Sequence, residues 1–206
     1  MSASEPSAGR YRLPLFPLPV VLLPGARMPL HIFEQRYRDM VADAMRADRR
    51  FGMLYHDWDV QGPFLSDPGS IGCVARIVEF RGLEDGRSLI IVEGVARFAI
   101  DDGLESDALY FEALVRPYTD VGTPAAEAGA LVTRRTASLA LFERVLASMA
   151  APPESLPDLE PDSELSFRLA QTIQVDPRWH QELLEMRSEE ERLDRVDEVF
   201  RALLET

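Results

Sequence analysis

The apolar positions follow two different periods, and the change falls near residue 120. Before it, short β-prone runs dominate: 13–23, Met28 to Ile32, Phe51 to Tyr55, Ile71 to Phe80, Ser88 to Val92, Val95 to Ile100 and Tyr110 to Val115. One helix interrupts them within Phe33 to Arg50, where Tyr37, Met40, Val41, Ala44 and Met45 recur on a single helical face. Asp85-Gly86 between two strands is a hairpin signal, because the turn requires positive φ and glycine has no Cβ to clash. A loop rich in Asp, Gly and Pro is expected over His56 to Ser70. Beyond 120 the pattern is helical. Helices are expected over Ala125 to Met149 and Glu164 to Val175, with a short one from Asp176-Pro177. The last follows the capping box Ser188 to Glu191 and presents Leu193, Val196, Phe200, Leu203 and Leu204. The four prolines within Ala150 to Pro161 break this half. The reading is an α+β chain: a flexible leader at 1–12, a β-rich part at 13–117, a linker at 118–124 and a helical part at 125–206.

The stretch from Leu13 to Gly25 is almost wholly apolar yet holds Pro14, Pro17, Pro19 and Pro24. A membrane-spanning helix needs about 20 apolar residues, and each interior proline costs a helix about 3 kcal/mol or more. A secretion signal needs a basic start, an unbroken apolar run and a small-residue cleavage site, none of which fits. Extended chain remains, entering a sheet at an edge where missing amides matter little, with Pro24-Gly25 as a turn.

Composition narrows the chemistry. Of 206 residues, 46% are hydrophobic, enough for a proper core, and the formal net charge is -13. Nucleic-acid affinity comes mostly from basic groups neutralising phosphates, so an acidic chain argues against it. The lone Cys73 permits no internal disulfide and points to a reducing, cytoplasmic setting; its apolar neighbours make it a small buried hydrophobe. All 22 basic residues are arginine. A P-loop and a Ser–Lys dyad both require lysine, and arginine, which stays charged, replaces neither.

The polar groups offer little catalysis. His56-Asp57-Trp58-Asp59 holds potential metal ligands, but His31 and His180 are remote and no ligand spacing recurs. Asp101-Asp102 before Gly103 reads as a turn, and Glu189-Glu190-Glu191 suits the positive end of a helix dipole. No G-x-S-x-G is present, which leaves a Ser or Cys hydrolase without a motif. No catalytic residue, cofactor or metal is expected. Trp58 and Phe64 are aromatics in a polar loop, and such residues either anchor into the core or contact a partner. Arg46, Arg49 and Arg50 form a local basic group where cations favour a helix C-terminus.

Three collinear blocks resemble the N-terminal substrate-binding domain of Lon-type ATP-dependent proteases. They are Leu13 to Leu18 with Leu23 to Leu30; Ile71 to Ile77, Asp85-Gly86 and Val92 to Phe98; and Leu184 to Arg187 with Glu191 to Leu193. The resemblance implies a β-rich, PUA-like pseudo-barrel with one helix, followed by an α-helical bundle. It also implies recognition of protein clients, unfolded or specific, alongside a protease or chaperone. A chain that ends at Thr206 and has no lysine is expected to lack the ATPase and protease modules, and so to be non-catalytic. Client contacts are expected at Trp58 and Phe64, then Phe33 and Tyr37, from residue type alone. The alternative is nucleic-acid binding, since PUA-like folds elsewhere bind RNA. No membrane association is expected, and the oligomeric state is left open.

Overall fold

The computed structural model describes residues 9–122, 128–149, 159–160, 162 and 164–205. The chain divides into two compact units, at Thr119/Asp120.

The first unit is a closed sheet. Its strands are β1 (Tyr11–Leu18), β2 (Arg27–Ile32), β3 (Arg50–Tyr55), β4 (Ile71–Gly82), β5 (Ser88–Leu104) and β6 (Phe111–Pro117). The order is β2-β5-β4-β3-β1-β6, and β5 also pairs with β6, which closes a ring of β5, β4, β3, β1 and β6. β2 stands outside that ring against the first part of β5. The two runs expected at 88–92 and 95–100 are therefore one strand, bent by register shifts against β4 and β6. Leu13, Leu15, Leu54, Val74, Phe98, Ile100 and Val115 fill the interior. Helix α1 (Gln35–Arg46) buries the expected stripe of Tyr37, Met40, Val41 and Ala44. The expected leader is shorter than 1–12, since Tyr11 and Arg12 already pair with β6; residues 1–8 lie outside the described residues.

The proline-rich segment is not at an edge, which corrects the sequence reading. β1 lies between β3, parallel, and β6, antiparallel. It tolerates proline because the two partners cover different halves of it. The His56 amide donates to the Leu18 carbonyl at 2.8 Å. Even-numbered residues of β1 therefore turn their polar groups to β3, and odd-numbered ones to β6. Pro14 faces β3 where registered pairing begins only at Leu15, and Pro17 faces β6 beyond its last partner at Leu15. Each missing amide falls past the end of a neighbour. The edge proline is instead Pro29 of β2. Gly94 N–H donates to the Ala26 carbonyl at 2.9 Å, so even positions of β2 face β5 and the Pro29 nitrogen points off the open edge. That position blunts the edge against pairing with another strand.

Gly94 shows why the Val92-Glu93-Gly94 motif needs its glycine. A Cβ there would lie 2.3 Å from the Leu23 carbonyl oxygen, where the chain leaving β1 crosses β5. The Asp85-Gly86 turn forms as expected, with Gly86 at φ 80°.

The second unit holds α3 (Ala128–Ser148), α4 (Leu165–Ala170), α5 (Pro177–Glu185) and α6 (Glu189–Leu204). α3 and α6 share a core in which the Phe142 and Phe200 ring centroids are 5.2 Å apart. Arg134 joins them by donating to Asp194 at 2.6 Å and Asp197 at 2.7 Å. α4 stops five residues before the expected end at Val175. Pro177 occupies the first turn of α5 and Asp176, extended, caps it by accepting from the Arg178 amide at 2.8 Å. The Ser188 hydroxyl accepts from the Glu191 amide at 3.3 Å, one half of the expected capping box. Residues 125–127 of the expected first helix, and most of the proline-rich break, lie outside the described residues.

Candidate functional site

Trp58, Phe64 and Tyr37 fall near one end of the sheet, where β1 and β3 finish and β6 begins, whereas Phe33 follows β2 and meets His31 at 5.6 Å. The segment after β3 is not simple loop. Asp57 accepts from the Asp59 amide at 3.1 Å and donates its own amide to Gln61 Oε1 at 2.7 Å, which stabilises the single helical turn α2 (Trp58–Gln61). His56 is buried beneath it. Its Nε2 lies 2.8 Å from the Gly62 carbonyl, an acceptor only, so Nε2 carries the proton and donates. Among the described residues no group of His, Cys, Asp and Glu is placed to hold a metal ion. His56 serves packing: Trp58 meets it edge-on at 4.5 Å and Phe64 at 5.3 Å, and Phe64 stacks edge-to-face on Phe111 at 4.8 Å. The Arg36 guanidinium, held by Glu34 at 2.9 Å, lies 4.5 Å from the Tyr37 ring and 5.9 Å from the rings of both Trp58 and Phe111.

The four expected contacts separate by burial. Phe64 belongs to the barrel core and cannot present its ring to a client. Tyr37 is buried against Phe16, with centroids 4.1 Å apart, and burial pushes its hydroxyl up to about 12. Both readings as contacts are corrected: the core needed these rings more than the surface did. Trp58 remains 38% exposed and Phe33 59%. Sequence reasoning passed over Val60 and Leu65, which are 64% and 68% exposed on the same segment as Trp58. Their signal was present, as large apolar residues within a loop otherwise rich in Asp, Gly and Pro. Arg36 carried no signal, since only the fold brings it over Trp58. The segment from Trp58 to Leu65, termed the shelf below, thus rests on His56, Phe64 and Phe111 and leaves Trp58, Val60 and Leu65 each exposed.

The basic group near α1 is largely neutralised. Arg46 pairs with Asp43, and Arg50 stands 4.0 Å from Asp48. Asp43 is held below the usual carboxylate range by the Tyr110 hydroxyl and by Arg46. Among the described residues no helix is long and apolar enough to cross a membrane.

Residues 12–200 match the family described as the ATP-dependent protease La (LON) substrate-binding domain. The chain belongs to that family. A Lon protease from Paraburkholderia phytofirmans is 32% identical over 193 residues, which cover 89% of this chain and 23% of the relative. One from Xanthomonas oryzae is 28% identical over 201 residues. The chain thus spans about a quarter of the length of the curated relatives it matches. A solved Lon N-terminal domain protein from Xanthomonas campestris is 27% identical with a TM-score of 0.60, covering 90% of this chain and 96% of that one. The N-terminal domain of Lon protease from the Mycobacterium avium complex shares the fold at a TM-score of 0.64 and 15% identity, over 93% and 98% of the two chains. The matched region is a substrate-binding domain of mixed α+β architecture.

Proposed function

We propose that this chain is a non-catalytic recognition module that binds exposed apolar segments of protein clients. The observation that supports this most directly is the shelf: Trp58, Val60 and Leu65 present apolar surface on a base already locked by His56, Phe64 and Phe111. A rigid aromatic anchor loses little side-chain freedom on binding, which is why such residues dominate interfaces. Phe33 is a further exposed aromatic of this unit. Nucleic acid is disfavoured by the net charge of -13 and by the carboxylates beside Arg46 and Arg50. The Lon relatives support a setting in which clients pass to a protease or chaperone, and the lone cysteine supports a cytoplasmic one. Binding of a chemically unfolded globular protein, followed by fluorescence anisotropy and by suppression of its aggregation, tests the proposal. Trp58→Ala with Phe33→Ala should weaken binding about tenfold, the scale of one aromatic hot spot, with the fold retained. Unchanged binding in that variant, or no binding by the wild type, refutes it.

A further inference from the structure

A second surface lies away from the shelf, between the outer side of α1 and the β4–β5 hairpin. It is a groove of about 350 Å³, within the usual range for ligand sites. Val41, Met45, Phe80 and Leu83 give it an apolar lining, and Phe80 is half exposed in a protein that buries its other large strand aromatics more deeply. Arg38 and Arg87 supply its charge. The chain carries 35 carboxylates against 22 guanidinium groups, yet the lining holds two arginines and no carboxylate. Arg87 is engaged with Asp85, its Nε 2.6 Å from Oδ2. Arg38 forms no ion pair among the described residues, while most arginines of this chain do. Its guanidinium packs so closely over Gly86 that a Cβ at that position would lie 2.0 Å from Nη2. A cation without an ion-pair partner, beside an apolar floor, is complementary to a ligand that brings both an anion and a hydrophobe.

We propose that this groove binds an extended protein segment in which an acidic side chain adjoins a bulky apolar one, the carboxylate pairing with Arg38 and the apolar group lying on Phe80 and Met45. The inference rests on the reading of the chain as a protein-recognition module, and it adds a preference for acidic-apolar segments over purely apolar ones. An internal Asp or Glu is the intended anion, because the fork of one guanidinium matches a side-chain carboxylate and the hairpin amides of Leu83, Gly86 and Arg87, which a chain terminus would need, already donate to Arg87, Leu83 and Asp85.

Four fluorescent peptides with amidated C-termini test it by anisotropy with the full chain: Leu-rich neutral, the same with one Glu beside a Leu, the same with Gln, and the same with Lys. A fifth carries the neutral sequence with a free C-terminus. The Glu peptide should bind about tenfold more tightly than the Gln peptide, the scale of one charge-assisted hydrogen-bonded pair, and the advantage should shrink with added salt. Arg38→Gln should erase that advantage, and Arg38→Glu should transfer it to the Lys peptide, a gain that a misfolded variant could not give. Equal binding of Glu and Gln peptides by the wild type overturns the inference while leaving the recognition module intact. So does an advantage confined to the free C-terminus, or one that survives Arg38→Gln. Absence of binding by every peptide and by unfolded protein overturns both.

Discussion

Arg192 is the residue whose replacement should most weaken the helical unit. Its side chain is fully buried on α6. It donates to both Asp120 carboxylate oxygens, at 2.8 and 2.7 Å, to the Ser166 hydroxyl at 3.0 Å and to the Met186 carbonyl at 3.0 Å. Its guanidinium also lies 4.3 Å from the Phe167 ring centroid. One side chain thereby ties the entry to the unit, α4, the end of α5 and α6. Arg192→Ala takes the cation from a carboxylate, a hydroxyl and a carbonyl together and opens a void against Phe167. Removing one partner of a buried pair costs about 3–5 kcal/mol. The Asp120 side chain is 34% exposed, so water can resolvate it, which places the loss near the lower end, about 3 kcal/mol. For a unit of this size that corresponds to a fall in Tm of roughly 12 °C or more. The assay is built into the sequence, because the two tryptophans fall one to each unit, at Trp58 and Trp179. In a Trp58→Phe background, urea unfolding followed by Trp179 fluorescence reports the helical unit alone. Arg192→Lys should lose most of the same stability, since an ammonium keeps the charge but lacks the planar fork. A loss below about 1 kcal/mol in Arg192→Ala would refute the assignment of this network as the organiser of the unit, since it would fall short of even an average buried hydrogen bond.

The remaining predictions concern acid and the shelf. Glu112 is buried on β6 and its carboxyl is held below the ordinary 4.5 by hydrogen bonding from Arg12. The unfolded chain then takes up that proton at higher pH than the folded one, so this contribution is complete above the unfolded value and is lost as pH falls through the folded one. Urea midpoints of the first unit should decline below about pH 5, and Glu112→Gln should flatten that decline without removing it, because Asp43 is also held low. An unchanged slope would contradict the pairing. Phe64→Ala should cost about 3–5 kcal/mol as a core truncation, whereas Trp58→Ala, more than a third exposed, should change stability by about 1 kcal/mol or less; the reverse order in thermal melts would exchange their roles.

Local chemistry explains which parts of the fold were legible. The α1 stripe, the Asp85-Gly86 turn and the proline-rich start of β1 each depend on residues close in sequence. Gly94 shows the limit. Its motif was visible, but its cause, the carbonyl of Leu23 crossing β5, joins positions about seventy residues apart. The placement of β1 failed for the same reason. Proline does argue for an edge, and it could not be known that β3 and β6 would each cover a different half of one strand. Of the four aromatic contacts, Phe64 and Tyr37 lost that role by competition for burial. Phe64 and Trp58 sit six residues apart in one polar loop, and only the position of His56 and Phe111 decides which ring goes inward. Arg192 stood in a recognisable block, yet its partner Asp120 is 72 positions away, in what reads as linker.

The two candidate surfaces of the first unit are carried by the same helix, and helical geometry fixes their relation. Arg36, over Trp58, and Arg38, in the groove, are two residues apart on α1. At 3.6 residues per turn they point about 200° apart. Between them runs the buried stripe of Tyr37, Met40, Val41 and Ala44, which faces the sheet. A segment seated on the shelf is therefore on the opposite flank of α1 from one seated in the groove, and neither set of contacts shares a side chain with the other. Effects at sites without shared partners add to within about 0.5 kcal/mol. For an unfolded client long enough to reach both, the free-energy losses of Trp58→Ala and Arg38→Gln should accordingly sum in the double variant. A deficit beyond that margin would mean that α1 shifts as one sensor between the two flanks, and that the shelf and the groove are a single site.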